Sequence, residues 1–79
     1  MGGLLGSLPA EIEHHAEKIL RDIEESGSMI AVVKNGAKAE GFVLGVRCGG
    51  GLSAEDCEAL SVHFDHATEK RLRSLTRGL

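Results

Sequence analysis

Histidine and cysteine are the residues of this chain best suited to chemistry. His14 and His15 are adjacent, His63 and His66 are three apart, and Cys48 and Cys57 lie between the two pairs. Imidazole nitrogens and thiolate sulfurs together make a donor set that suits zinc. Adjacent helical residues diverge by about 100° and cannot easily close on one ion, whereas residues three apart share a face. None of the compact zinc spacings is present, so a site using His63, His66, Cys48 and Cys57 would require distant segments to converge. The plainer reading is polar helix surface, and no metal or other cofactor is expected.

Three further constellations have a chemical and a bland reading. Cys57 falls in the first turn of a helical pattern, where backbone N–H groups favour a thiolate, but Glu55, Asp56 and Glu58 beside it oppose that effect. Its position on an apolar stripe makes it a small buried hydrophobe rather than a nucleophile. Gly49-Gly50-Gly51 ahead of a helix start could present N–H groups to an anion, yet the same three acids crowd that start, so a flexible connector is the better reading. The carboxylate pairs Glu11/Glu13, Glu24/Glu25 and Glu55/Asp56 read as solvated helix surface, because acid–base catalysis needs a pocket that perturbs one pKa. No catalytic residue is assigned and the chain is not expected to be an enzyme.

Lys70, Arg73 and Arg77 recur at three- and four-residue spacing near the C-terminal end, a short cationic stripe able to contact nucleic-acid phosphates. Against that, the formal net charge is −3 and the only aromatic residues are Phe42 and Phe64. Cations in the last turns of a helix also suit the negative end of its dipole. Nucleic-acid contact is therefore the minor reading, beside a solvated helix end or contact with an acidic protein.

The elements that would position these residues follow from pattern. Residues 1–8 form a glycine-rich tail, flexible or docked on a partner, and residues 9–79 one domain. A first helix is expected from Pro9 to about Ser26, with Ile12, Ala16, Ile19 and Ile23 on its apolar stripe and Gly27 as a left-handed cap. Glu17-Arg21 and Lys18-Asp22 are expected as complementary pairs on its outer side. Residues 28–34 are rich in β-branched side chains and read as a strand. Asn35-Gly36 is a favoured hairpin turn, with a return strand from Ala37 to about Arg47. Ser53 caps a second helix over Ala54–Thr76, with Cys57, Leu60, Phe64, Ala67, Arg71 and Leu75 at helical spacing. The fold class expected is α+β, an antiparallel hairpin packed by two helices in the order α-β-β-α.

A chain of 79 residues sits near the lower limit for a self-sufficient core. A lone hairpin leaves two open edges, and the second helix carries surplus apolar surface. Both features point to a homodimer, held by Leu60, Phe64 and Ala67 near the middle of the second helix, with Leu72 and Leu75 toward one end. The start of the chain lacks a signal-peptide pattern and no apolar run approaches a membrane span, so a cytoplasmic protein without membrane contact is expected. The function expected is a small regulatory or adaptor-like protein–protein interaction module, its partner unknown. The alternatives are a DNA-associated regulator and a small metal-binding or thiol-dependent protein.

Overall fold

The computed structural model describes residues 8–77, and those residues form three helices: α1 (Ala10–Glu24), α2 (Met29–Cys48) and α3 (Ala54–Thr76). The expected α+β hairpin is not there. Residues 28–34, Asn35-Gly36 and the return strand to Arg47 all belong to α2, and the described residues contain no strand. The expected tail over residues 1–7 lies outside the described residues, whereas Leu8 is buried in the core.

The outer two helices follow their sequence signals. α1 begins after Pro9, carries Glu11 and Glu13 in its first turn, and buries Ala16, Ile19 and Ile23. α3 begins at Ser53, whose Oγ accepts the Asp56 N–H at 3.1 Å, and buries Cys57, Leu60 and Phe64. Gly27 is not a left-handed cap: among the described residues only Gly50 has positive φ, at 71°. Glu17-Arg21 and Lys18-Asp22 do not close to ion-pair distance; Asp22 instead meets Lys38 of α2 at 2.8 Å.

Why residues 29–48 are helical is explained by both ends and by one face. Ser28 is extended and its Oγ accepts the Ala31 N–H at 3.1 Å, satisfying one of the unpaired donors of the first turn. At the other end, Gly50 N–H donates to the Arg47 carbonyl and Gly51 N–H to the Val46 carbonyl, the paired bonds of a Schellman stop with Gly50 in the left-handed position. A Cβ on Gly51 would lie 3.2 Å from Ile12 and 3.3 Å from Val46, so this glycine also lets the loop press on α1. The glycine run is thus a shaped helix terminator rather than a loose connector. Between those ends, Val32 and Ala39 are buried and Phe42, Val43 and Val46 are partly covered, at helical spacing.

Asn35 and Gly36 serve packing instead of a turn. Asn35 Nδ2 donates to the Asp22 carbonyl of α1 at 3.1 Å and to Ser26 Oγ at 2.9 Å. Gly36 faces Thr68 of α3, and a Cβ there would stand 3.6 Å from that side chain. The core between the helices is built on Ile19, Ile23, Leu60 and Phe64, with Leu8 closing it from the N-terminal side. Full burial of Ile23, Leu60 and Val32 contributes about 1.5–3 kcal/mol each. Phe42 links the layers, edge-on to Phe64 at 6.4 Å between centroids and 6.3 Å from His15.

Two outcomes follow. Gly36→Ala is expected to raise stability by about 0.5–1 kcal/mol, because alanine is the better helix former and the 3.6 Å contact is ordinary packing. A type I′ turn would give the opposite sign, so a loss in denaturant unfolding would contradict the helix. The second outcome concerns acid. The hydrogen bond from Lys38 holds the Asp22 carboxyl below its ordinary value of 3.8, against desolvation, with the charges of Lys38, Lys18 and Arg21 adding to the lowering. Stability from this carboxylate is present above about 3.8 and is lost as pH falls through the lowered folded-state value. Lys38→Met should therefore flatten that part of the stability–pH curve while leaving the curve above pH ~5 parallel to the parent.

Candidate interaction surfaces

Leu60 and Phe64, expected at a two-fold contact, are inside the protein's own core, 0 % and 3 % exposed. α3 spends its strongest apolar positions on α1 and α2, with α2 its more extensive neighbour. Ala67, Leu72 and Leu75 are half-buried, so they border the core rather than stand out as a free patch. The surplus apolar surface lies elsewhere. Met29, Ile30, Val33 and Leu44 of α2 are 48, 71, 62 and 61 % exposed, and all are large apolar side chains. Ile30, Ala37 and Leu44 recur every seven residues, with Val33 and Gly41 in the intervals and Cys48 extending the line, so they form one continuous outer stripe opposite Val32 and Ala39. The sequence carried this signal, since 29–48 has apolar residues around its whole circumference when drawn as a helix, but the hairpin reading assigned alternate residues to two sheet faces instead.

The second surface is an open groove of about 830 Å³ between α1 and α3. Leu20 of α1 and Ala59, Val62 and Ala67 of α3 give it apolar lining. His63, His66, Lys70, Arg73 and Arg77 line the same groove from α3 and its C-cap. These five positions run at intervals of three, four, three and four, which keeps them on one face for the length of the helix. The two histidines and the three cations, taken separately in sequence, are one line in space. Glu24 of α1 is the acidic member of the lining. Arg73 also stands 3.8 Å from Glu69, with both side chains largely exposed, so this pair constrains it little.

The metal-candidate residues do not assemble. His63 and His66 share the groove, Cys57 is buried and Cys48 lies exposed at the end of α2. Among the described residues no group of three or more His, Cys, Asp or Glu is placed to hold a metal ion. Both cysteines are free thiols. No helix among the described residues is long and apolar enough to cross a membrane.

These features define, among the described residues, a three-helix, all-α fold with two exposed surfaces, one apolar and one cationic. Comparison with family models, curated proteins and solved structures finds no match to this chain.

The two thiols supply a direct check of this geometry. A thiol reagent added to the native protein is expected to modify Cys48 promptly and Cys57, at 3 % exposure, only when the chain unfolds. Two equivalents consumed at one rate under native conditions would contradict the burial of Cys57.

Proposed function

We propose that this protein is a small homodimeric interaction module, regulatory or adaptor-like, that acts by binding rather than by catalysis. The observation that carries the reading is the apolar outer stripe of α2. A helix that is apolar on both sides is normally covered on both sides, and exposed patches of this kind mark association surfaces. The inner side of α2 is already packed on α1 and α3. The outer side offers Ile30 and Leu44 as large anchors, with Ala37 and Gly41 between them small enough for two backbones to come near. A two-fold contact uses the same stripe twice, so each exposed side chain is buried in both copies. The dimer contact expected on α3 therefore moves to α2 in this reading, because Leu60 and Phe64 are consumed by the core. Two free thiols fit a reducing compartment, and a cytoplasmic location belongs to the same proposal.

Leu44→Asp is the test, since Leu44 is 61 % exposed and its replacement spares the core. Sedimentation equilibrium should show a dimer for the parent chain and a dissociation constant weakened at least ~10-fold for the variant, about 1.4 kcal/mol. Circular dichroism should stay unchanged. A parent chain that is monomeric at ~100 μM, which corresponds to binding weaker than about −5.5 kcal/mol, would remove the proposal.

A further inference from the structure

We infer that the groove between α1 and α3 is a docking site for an acidic amphipathic helix of a partner protein. This inference does not rest on the α2 dimer, which uses another face of the molecule.

Three observations converge on that occupant. The first is charge. Lys70, Arg73 and Arg77 line the groove in a chain whose formal net charge is −3, so the cationic strip runs against the sign of the whole molecule. An acidic segment is drawn to that strip and repelled by most of the remaining surface, which fixes where it lands. The second is the floor. Leu20, Ala59 and Val62 offer apolar contact, with Val62 49 % exposed, so the occupant must bring apolar side chains as well as carboxylates. The third is length. His63 to Arg77 spans 14 helical steps, about 21 Å at 1.5 Å per residue, which a helical segment of roughly four turns would cover. Residues at intervals of three and four on such a segment present leucines to the floor and glutamates to the cationic line, the usual helix-in-groove arrangement.

Two other occupants fit less well. A nucleic-acid backbone has nothing to bury against Leu20 and Val62. The groove also has no Phe, Tyr or Trp in its lining for base stacking, since Phe64 is in the core and Phe42 packs between His15 and Phe64. A second copy's α1 is acidic, but its apolar stripe of Ala16, Ile19 and Ile23 is already buried in its own core. Glu24 sits in the groove wall beside Ala67 and Lys70, so the carboxylate run of the occupant should be interrupted there.

The test uses the full chain and a labelled, helix-forming peptide of about 16 residues with leucine and glutamate on adjoining faces, a length set by the groove. A second peptide replaces every glutamate by glutamine, and a labelled DNA duplex is the third probe. Fluorescence anisotropy should show saturable binding of the acidic peptide that weakens as salt rises. The glutamine peptide should bind at least ~10-fold more weakly. Lys70→Glu combined with Arg73→Glu should produce a similar loss, and Val62→Ser a smaller one that is insensitive to salt. Circular dichroism of each variant confirms the fold, which these exposed positions should spare. Leu44→Asp should leave peptide binding intact, which separates this groove from the dimer. The inference is overturned by equal binding of the acidic and neutral peptides, or by no saturable binding of either below ~1 mM. Tighter binding of the duplex than of the acidic peptide, lost on the same charge reversal, would overturn it in favour of nucleic acid.

Discussion

The fold depends on one polar junction where the three helices meet. The Asp22 carbonyl, near the C-terminal end of α1, accepts from Ser26 Oγ at 2.7 Å and from Asn35 Nδ2 at 3.1 Å. Ser26 Oγ accepts in turn from the same Asn35 amide, and the Ser26 carbonyl accepts from Arg71 Nε of α3 at 2.8 Å. A carbonyl in the last turn of a helix has no partner within that helix, and a connecting serine with 5 % exposure has little water. Leaving such groups unpaired costs about 1–3 kcal/mol each. The junction satisfies them with side chains from both other helices, and no buried side-chain polar atom among the described residues lacks a hydrogen-bond partner. Apolar packing brings the helices together without much preference for register; this junction selects the register in which Asn35 and Arg71 both reach the end of α1.

That register decides which surfaces remain. Once Asn35 and Gly36 face inward, Val32, Ala39 and Val46 must face inward with them, and Ile30, Ala37 and Leu44 are left outside by the helical period. On α3 the inward positions are Cys57, Leu60 and Phe64, which leaves His63, His66, Lys70, Arg73 and Arg77 along the boundary with α1. The small core therefore creates both candidate surfaces as a geometric consequence of how it is filled. A domain of this size fills one small core and leaves its outer helix faces exposed. Among the described residues the two surfaces differ in character, one apolar and the other lined by cations.

Much of the molecule was legible in the sequence where local signals and tertiary packing agree. Pro9, Glu11 and the Ile12-Ala16-Ile19-Ile23 stripe describe α1 closely, and Ser53 with the Cys57-Leu60-Phe64 spacing describes α3 almost to the residue. Lys70, Arg73 and Arg77 were identifiable as a stripe, although their continuation into His63 and His66 became visible only with the opposing wall of α1. Asn35-Gly36 is the position where local preference and structure disagree. Asn-Gly favours positive φ in an isolated segment by roughly the margin that a single glycine costs a helix, about 1 kcal/mol. Two amide hydrogen bonds and ordinary packing on Thr68 outweigh that margin, and neither can be seen without knowing what lies across the interface.

The sequence by itself determined the two flanking helices, the Ser53 cap of α3 and the sign of charge along α3, because each depends on residues within a few positions of one another. Tertiary structure alone decided the state of residues 29–48. Their apolar content satisfies a two-residue and a helical period about equally, and the choice between them belongs to α1 and α3. An Asp22 carbonyl that accepts from Asn35, and a Thr68 side chain against which Gly36 packs, turn a turn-forming pair into the inward face of a helix.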